Sequence, residues 1–540
     1  MKRTHGWLRA WRLHGLVLGV AVLAASAPAA ATPPQDLDAF AARAMDTFHA
    51  PGMAVAIVEG DKAYTRVYGV KELGKPDAVD VHTTFPIGSN TKAFTATALA
   101  ILVDNGKLRW DDLVIDKLPG FRMYDTYATR HMTIVDMLCH RSGLGPGEGD
   151  LMFLPSSTRT RAELVHSIRY LKPATSFRAG YAYDNVLYAV AGQVVQAVSG
   201  QRWEDFVRER IFALLGMHDA TVSLSRRGPD RVALHGKVSG PLRGMGPQSV
   251  LSTVLSGATD APAGAISASA TDMTHWLRVQ LSRGRLPDGG RLFSAASARQ
   301  LWTPETLMPI HAQPEPLALT EPNFQAYALG QIVRDYRGHK IVRHTGGVLG
   351  AYSIVGIIPG KQVAFAVMIN AEDLGTLMAT YYHLMDHYLG LSSPDWIARY
   401  QKVLAKRHAA ALETLREAHA QTHPERGPSL PLSGYVGVYR DPWYGTVTIT
   451  MGKDGQLRLS MDRTPAMHGP IEHVQYDTFR THWVTPGLEN AYVTFALNPD
   501  GSIDQASMHA VSPLADFSYD YRDLHLRPEP TSTATAEASP

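Results

Sequence analysis

The sequence has 540 residues, of which 45% are hydrophobic and 19% charged, with 46 glycines and 34 prolines. These proportions are those of an ordinary globular protein, and they exclude a disordered, collagen-like or coiled-coil chain as an overall description. The length allows two or three domains, one of them large enough to bury an active site. The single cysteine excludes an internal disulfide and multi-cysteine metal sites. A formal charge of +2 without basic runs gives no electrostatic footprint for nucleic acid.

Residues 1–31 have the pattern of a secretory signal peptide. Basic residues precede an apolar run over 16–25, and small residues follow as far as Ala31, where we expect cleavage. The run is shorter than the roughly 20 apolar residues that a spanning helix needs, so cleavage is favoured over a retained membrane anchor. We therefore expect an exported protein, periplasmic or extracellular, without a stable membrane span. Its formal charge becomes −2 on removal of Lys2, Arg3, Arg9 and Arg12.

The pattern of apolar residues predicts alternating helices and strands over the next 350 residues or so. A helix and a hairpin come first, followed by a helix that is apolar on every side and ends at Asn105-Gly106. A mixed helical region over 107–320 precedes three strands, of which the last two are apolar almost throughout and predict a sheet covered on both faces. The predicted helices cover 37–48, 94–103, 162–170 and 272–281, and the predicted strands cover 53–58, 63–68, 340–345, 352–358 and 363–369.

A change of composition marks a second domain. The charged, alanine-rich stretch 396–420 predicts a helix, and the Pro- and Gly-containing segment 424–428 has linker composition, so 391–428 is predicted to be a helical linker. Strands over 446–450, 456–460 and 492–497, with turns at Asp454-Gly455 and over 498–501, predict an all-β domain over 429–527. Residues 528–540 contain only Pro, Thr, Ala, Ser and Glu, and we expect them to be disordered.

The strongest local candidate for chemistry is Ser89-Asn90-Thr91-Lys92, which opens the buried helix. Residues three apart on a helix share a face, so the Ser89 hydroxyl and the Lys92 ammonium would be neighbours. Burial would lower the pKa of Lys92, and a free amine could then take the Ser89 proton and create a nucleophile. The same four residues also fit a capping serine followed by a solvated lysine. The apolar helix that follows favours the inward-pointing lysine.

Two further fragments make the pattern more specific. Tyr183-Asp184-Asn185 precedes an apolar run over 186–195, and His344-Thr345-Gly346-Gly347 ends a predicted strand. The motifs Ser-x-x-Lys, Tyr-x-Asn and His-Thr-Gly thus occur in this order along the chain. In this respect residues 36–390 resemble the penicillin-recognising serine hydrolases of the class C β-lactamase type, which include D,D-peptidases, D-aminopeptidases and esterases. The resemblance implies an α/β (α+β) fold, in which an antiparallel sheet is flanked by helices and joined to a helical subdomain, and it implies no cofactor or metal.

Carried over position by position, the resemblance implies roles for individual residues. Ser89 would be the acyl-accepting nucleophile, and Lys92 a base or proton shuttle. Tyr183 would act either as a phenolate held near Lys92 or as a proton donor to the leaving group, and the sequence leaves both roles open. Asn185 would hydrogen-bond Lys92 and the substrate's amide carbonyl. Gly347 would donate the second oxyanion N–H.

His344 stands where β-lactamases of this type usually carry lysine, and it borders the substrate site together with Thr345 and Gly346. Peptidases and esterases of the family often have this histidine, so the change argues against an efficient β-lactamase. A charged His344 that held a substrate carboxylate would lose affinity as the pH rises past its pKa. Asp184 is unusual at a position that is small and uncharged in the family, and we expect it to face away from Tyr183 and Asn185.

The C-terminal fragments 435–439 and 443–445 resemble the small lipocalin-like β-barrel, catalogued as a domain of unknown function, that is appended to some of these hydrolases. This resemblance implies a module that caps the site, limits substrate length or mediates self-association, with a homo-oligomer as a possible assembly.

We favour an exported serine hydrolase that acylates Ser89 and transfers the acyl group to water. Its candidate substrates, in order, are peptides with D-residues, small esters or amides, and β-lactams. The alternatives are a penicillin-binding or sensing protein, or a weak β-lactamase, with a slowly hydrolysed acyl-enzyme, and a binding module that has only kept the fold. A metallohydrolase using His383 and His387 is less favoured. Asp386 lies between the two histidines, but the segment has no His-Glu-x-x-His motif and no third ligand is in view.

Overall fold

A computed structural model describes residues 33–224, 228–251 and 259–530. The predicted signal peptide, 1–31, and most of the predicted disordered tail, 531–540, lie outside the described residues. Within the described part of the chain, no helix combines the length and the hydropathy that crossing a bilayer requires.

An eight-stranded antiparallel sheet forms the centre of the first part of the chain. The two N-terminal strands form a hairpin that joins the strand at the end of this part, with Met53 opposite Ile369. All seven residues of Val363–Ile369 are buried, as their apolar sequence predicts for a strand covered on both faces. In spatial order the strands are Lys62–Gly69, Gly52–Glu59, Val363–Ile369, Ala351–Ile358, His339–Val348, Ile332–Tyr336, Gln325–Tyr327 and Thr306–Leu307.

Helices cover both faces of this sheet. Leu374–Leu389 packs on one face, where Thr380 contacts Met53, and Leu37–Phe48 and Trp396–Ala420 pack against it. Ala270–Leu281 packs on the other face, where alternate residues of strand Gly52–Glu59 join its apolar cluster. Since side chains alternate along a strand, this strand contributes residues to the apolar cores on both faces of the sheet.

A helical region lies between the hairpin and the later strands, as the sequence predicts. Its centre is the helix Thr91–Asp104, in which every residue from Thr91 to Leu102 is buried. The other helices of the region are Val114–Lys117, Thr126–His131, Ile134–Leu138, Arg161–Ser167, Val186–Ser199, Trp203–Val207, Ala213–Leu215, Ala261–Gly264 and Ala295–Leu301, with a π-helical turn at Arg208–Phe212.

The last part of the chain is a nearly closed barrel of eight antiparallel strands. In spatial order they are Ile503–Ala510, Ala491–Leu497, Thr478–Thr481, His468–Gln475, Leu457–Met461, Gly445–Met451, Gly437–Asp441 and Arg527–Pro528. Reciprocal hydrogen bonds of 2.8 and 3.1 Å between Ala506 and Leu526 bring the two ends of the sheet together. Buried aromatic rings, among them Tyr435, Phe479 and Phe495, fill the interior.

The helices and strands predicted from the sequence are confirmed, with shifts of a few residues at some ends. The exception is the start of the tail predicted to be disordered. Pro528 pairs with Tyr439, and the Glu529 N–H donates to the Val438 carbonyl at 2.8 Å. Composition alone could not show this, because these residues are ordered by pairing with a barrel strand about ninety positions earlier.

Candidate active site

Ser89 lies in a tight turn, Gly88–Asn90, that runs directly into the buried helix. Two side chains that follow Ser89 hold the turn and the start of the helix: the Asn90 amide donates to Ser353 Oγ at 2.8 Å, and Thr95 Oγ1 donates to the Pro262 carbonyl at 2.7 Å. The turn is therefore tied both to the main sheet and to the helical region. Ser89 itself is only half-buried and lines a large cavity.

The Lys92 side chain is completely buried and has three hydrogen-bond partners. Its Nζ lies 3.0 Å from Ser89 Oγ, 2.6 Å from Asn185 Oδ1 and 3.0 Å from the Ala263 carbonyl oxygen. The spacing in the sequence thus places the serine and the lysine together, as predicted. All three partners are neutral oxygens, so none of them fixes a positive charge on Nζ.

Burial lowers the pKa of Lys92 to about 7, because the interior disfavours the ammonium form. Three carboxyl groups, those of Asp150, Asp260 and Asp184, act in the opposite direction. A free amine at this position can donate to Asn185 and Ala263 and turn its lone pair toward the Ser89 hydroxyl. The geometry therefore suits proton transfer from Ser89 to Lys92.

Tyr183 lies beside both groups. It shares a side-chain hydrogen bond with Ser89, and its ring centre is 4.9 Å from Lys92 Nζ. Burial raises the pKa of Tyr183 well above its usual value, an effect that the hydrogen bond with Ser89 only partly opposes. The environment therefore favours the neutral phenol over the phenolate.

The segment around Tyr183 sends alternate side chains in opposite directions, as predicted for Asp184. Asn185 points to Lys92, whereas Asp184 Oδ2 accepts from Ser142 Oγ at 2.8 Å away from the cavity. The backbone N–H of Asp184 also donates to His140 Nδ1 at 3.2 Å. Asp184 therefore anchors the segment from behind and supplies part of the charge that acts on Lys92.

His344 lines the same cavity, but it is a neutral group. Burial and, to a smaller extent, the nearby Lys92 lower its pKa to about 3. Its Nδ1 lies 2.5 Å from the Thr345 carbonyl and its Nε2 lies 2.8 Å from Tyr327 Oη, which fits a neutral ring that donates from Nδ1 and accepts at Nε2. The structure therefore contradicts the hypothesis of a charged His344 that holds a substrate carboxylate.

The strand that carries Thr345, Gly346 and Gly347 meets the nucleophile turn backbone to backbone. A Cβ on Gly346 would lie 1.8 Å from the Ile87 carbonyl oxygen, so only glycine permits this approach. The contact places the amide of Gly347 next to the turn that carries Ser89. Thr345, Gly346 and Gly347 also line the cavity.

The cavity has a volume of about 1100 Å³ and is lined mainly by apolar side chains. The first part of the chain contributes Phe153, Tyr181 and Ile332, and the helix Trp396–Ala420 contributes Leu404. The segment 514–519, which follows the barrel strand Ile503–Ala510, forms another part of the wall. The C-terminal part of the chain therefore helps to enclose the site.

His383 and His387, the candidates for a metal site, lie on a helix in other surroundings. His383 Nε2 lies 3.1 Å from Asp36 Oδ1, and its ring stacks on Phe40 at 4.0 Å. Asp386 accepts hydrogen bonds of 2.8 Å from Tyr336 and Trp396. Across residues 33–224, 228–251 and 259–530, no three His, Cys, Asp or Glu side chains gather as metal ligands do.

Sequence reasoning missed three residues that belong to this site: Asp150, Ser518 and Asp520. Asp150 Oδ2 accepts from Asn185 Nδ2 at 2.8 Å and from Ser518 Oγ at 2.7 Å. Asp520 accepts from the backbone N–H groups of Gly149 and Leu151 at 2.6 and 2.9 Å. The only signal in the sequence was an acidic residue within an apolar or aromatic run, at 150–153 and again at 517–521.

Comparisons with known proteins agree with this geometry. Residues 37–390 match the family model described as Beta-lactamase, and residues 421–528 match a domain of unknown function, DUF3471. An unguisins hydrolase of Aspergillus campestris is 30% identical over 490 residues, which cover 87% of this chain and 88% of that protein. Penicillin-binding protein 4 of Amycolatopsis lactamdurans is 30% identical over 367 residues, 65% of this chain and 89% of that protein.

Among solved structures, the octameric penicillin-binding protein homologue from Pyrococcus abyssi superposes with a TM-score of 0.56 at 18% identity, covering 91% of this chain and 99% of that chain. At this identity the superposition shows a shared fold. The family match spans well over half of the sequence and contains the Ser89, Tyr183 and His344 motifs. The chain therefore belongs to the β-lactamase family of serine hydrolases.

Proposed function

We propose that this serine hydrolase cleaves peptides that contain D-amino acids, or related small amides and esters, through an acyl-enzyme on Ser89. The observation that carries the proposal is the hydrogen bond between Ser89 and a buried Lys92 whose pKa is lowered to about 7. A serine becomes a nucleophile when a neighbouring base can take its proton, and this lysine is such a base at neutral pH.

Acylation follows from the positions of three side chains. As Ser89 Oγ bonds to the substrate carbonyl carbon, its proton passes to Lys92 Nζ. The backbone N–H groups of Ser89 and Gly347 stabilise the oxyanion. When the bond to the leaving group breaks, the neutral Tyr183 hydroxyl protonates that group while the ammonium of Lys92 returns a proton to Tyr183. This concerted transfer avoids a free phenolate, which burial disfavours.

Hydrolysis of the acyl-enzyme repeats these steps with water as the nucleophile. Water gives its proton to the amine of Lys92 as it attacks the ester carbonyl, and Ser89 Oγ leaves with a proton supplied through Tyr183. The free enzyme is restored, so each proton is accounted for.

The cavity supports a peptide rather than a very small ester as the substrate. Its volume of about 1100 Å³ can hold several residues, and its wall is mainly apolar. The similarity to an enzyme named as an unguisins hydrolase, over 87% of this chain, supports a hydrolytic reaction.

A second candidate is a penicillin-binding or weak β-lactamase activity in which the acyl-enzyme persists. The 30% identity with a protein named penicillin-binding protein 4 favours this alternative. The two candidates differ in the second half of the reaction. A stoichiometric burst followed by steady turnover identifies a hydrolase, and a burst alone identifies a binding protein.

Replacing the nucleophile tests the acyl-enzyme directly. We expect Ser89→Ala to lower hydrolysis of D-amino-acid amides and p-nitrophenyl esters by at least about 10³-fold, because nothing else supplies the attacking oxygen. Intact-mass spectrometry with a fluorophosphonate should show one adduct on the wild-type chain and none on the variant. Ser502→Ala, in an exposed barrel turn, should react like the wild type. An adduct on Ser89→Ala would contradict the assignment.

The pKa of Lys92 sets the pH dependence. Because the free amine is the active form and its pKa is about 7, kcat/KM should rise with pH and level off above a midpoint near pH 7. Tyr183 should cause no fall in the rate below pH 9, since its pKa lies well above the usual value. Lys92→Arg should lower kcat/KM by at least about 10²-fold, because a guanidinium stays protonated. A profile without a limb between pH 5 and 9 would exclude Lys92 as the base.

The neutral state of His344 predicts how charged substrates behave. Its pKa of about 3 leaves it uncharged throughout the working range, so it offers no cation to a substrate carboxylate. We expect the ratio of KM for a D-peptide acid to KM for the matching amide to stay within about threefold from pH 5 to 8. A tenfold rise of that ratio with pH would show that His344 is charged and binds the substrate carboxylate.

Export and self-association are part of the proposal, and both rest on sequence patterns. Export is supported by the signal-like segment 1–31, and cleavage after Ala31 would leave a mature N-terminus at Thr32. Intact mass of the protein from the native cell envelope or culture medium should match residues 32–540, and a full-length mass would contradict cleavage. Self-association through the C-terminal barrel is tested by sedimentation velocity on the same material.

A further inference from the structure

A chain of buried hydrogen bonds connects the catalytic lysine with the C-terminal part of the molecule. Lys92 Nζ donates to Asn185 Oδ1 at 2.6 Å, Asn185 Nδ2 donates to Asp150 Oδ2 at 2.8 Å, and Ser518 Oγ donates to the same oxygen at 2.7 Å. None of these four side chains is more than 8% exposed. Ser518 is 368 positions from Asp150 in sequence, so folding of the C-terminal part brings them together.

Several contacts from the C-terminal segment fix the position of Asp150. Asp520 holds the backbone on both sides of Asp150, through the N–H groups of Gly149 and Leu151. Phe517 packs on Gly147, where a Cβ would lie 2.6 Å from the phenyl ring and 2.7 Å from its backbone oxygen, so no larger residue fits. The Arg522 guanidinium adds a hydrogen bond of 2.9 Å to the Pro146 carbonyl. One short C-terminal segment thus fixes both the backbone and the side chain of Asp150.

The direction of each hydrogen bond explains why Asp150 matters. Asn185 can offer its Oδ1 to Lys92 only if its amide is turned so that Nδ2 faces Asp150. Asp150 keeps the amide in that orientation by accepting from Nδ2. Because Ser518 binds the same carboxylate oxygen, its hydroxyl fixes where that oxygen lies. A shift of Ser518 therefore reaches Lys92 through two intermediate side chains.

We propose that Ser518 is a positioning residue for catalysis: acting through Asp150 and Asn185, it orients the amine of Lys92, and the first part of the chain lacks a complete site without the C-terminal segment 517–520. The proposal rests on the assignment of Lys92 as the base for Ser89. It assigns the C-terminal part of the molecule a role in the reaction itself, in addition to covering the cavity.

Charged and titratable groups face this chain of hydrogen bonds from several parts of the molecule. Burial raises the pKa of Asp150 to about 8, and its hydrogen bonds with Ser518 and Asn185 act in the opposite direction. Asp516 and Asp520 face Asp150 from the C-terminal segment, and Lys92 faces it from the nucleophile helix. Asp260 and Asp184 act on Lys92 from the other sides.

Loss of the Ser518 hydroxyl removes a hydrogen bond that stabilises the charged form of Asp150, so the pKa of Asp150 rises further. Because that pKa is already about 8, Asp150 is mostly neutral where Lys92 titrates, and the acid limb of the reaction stays near pH 7. The loss therefore acts on the orientation of Asp150 and Asn185, and a residue that keeps the hydroxyl should restore the rate. A general loss of stability would instead appear equally in variants of neighbouring serines.

The test uses the rate at which a fluorophosphonate labels Ser89 in the full-length chain, measured from pH 5 to 9. We expect Ser518→Ala to label about tenfold more slowly at its best pH, as the loss of one buried hydrogen bond implies, with the acid limb still near pH 7. Ser518→Thr keeps the hydroxyl and should stay within about threefold of the wild type. Ser512→Ala is the control, because the Ser512 hydroxyl accepts from Leu514 N just before the segment 517–520 and is not hydrogen-bonded to Asp150 or Asp520.

A second pair of variants tests the middle of the chain without changing the C-terminal segment. Asp150→Asn keeps an oxygen that can accept from both Asn185 and Ser518, so we expect it to label faster than Asp150→Ala. Asp150→Ala removes the acceptor and should label at least tenfold more slowly. Wild-type labelling in Ser518→Ala, a Ser518→Thr variant as slow as Ser518→Ala, or equal losses in Ser518→Ala and Ser512→Ala would overturn the proposal.

This readout separates the present proposal from the proposed substrate. If no D-peptide, amide or ester is hydrolysed while the fluorophosphonate still labels Ser89, the substrate class is wrong and the labelling rates still decide the role of Ser518. If Ser89 is not labelled in the wild type, the nucleophile is wrong and both proposals fall.

Discussion

The site depends on keeping one lysine amine out of water. Lys92 has no exposed surface, and its three partners are a hydroxyl, a carboxamide and a backbone carbonyl. Such partners satisfy the hydrogen-bonding capacity of Nζ without a formal negative charge, so desolvation dominates and the pKa falls. A direct carboxylate partner would have stabilised the ammonium and removed the base. The carboxyl groups nearby act on Lys92 at longer range, with Asn185 placed between Nζ and Asp150.

The same burial determines the state of the other reactive groups. It raises the pKa of Tyr183 and lowers that of His344, so both are uncharged at neutral pH. The wall beside Ser89 is therefore composed mainly of neutral donors and acceptors in an apolar cavity. In such surroundings the charge that develops in a reaction is stabilised by fixed dipoles, whose hydrogen bonds are stronger than they would be in water. The helix behind Ser89 keeps water away from this wall, since every residue from Thr91 to Leu102 is buried.

The sequence was sufficient for those parts of the molecule that depend on local geometry. The spacing of Ser89 and Lys92 predicts their contact because a helical turn brings residues three apart together, and the apolar strand Val363–Ile369 predicts its own burial. The order of the three motifs indicated the fold. The protonation states of Tyr183 and His344 could not be predicted, because they depend on packing by distant segments. The pairing of Pro528 and the contacts of Asp150 could not be predicted for the same reason.

The division between local and distant contacts also explains how the two parts of the chain come to share one site. The groups that carry the chemistry lie in short segments of the first part, where neighbouring residues fix their spacing. Asn185 is different, because its amide has two ends, and turning one end to Lys92 requires an acceptor for the other. Asp150 is that acceptor, and as a buried carboxyl it needs hydrogen-bond donors of its own. Ser518 supplies one donor to Asp150, and Asp520 fixes the backbone on both sides of Asp150. A hydrolase without this C-terminal segment must hold the acceptor of the Asn185 amide in another way. In this chain the buried Asn185 amide links the C-terminal part of the molecule to the base, Lys92.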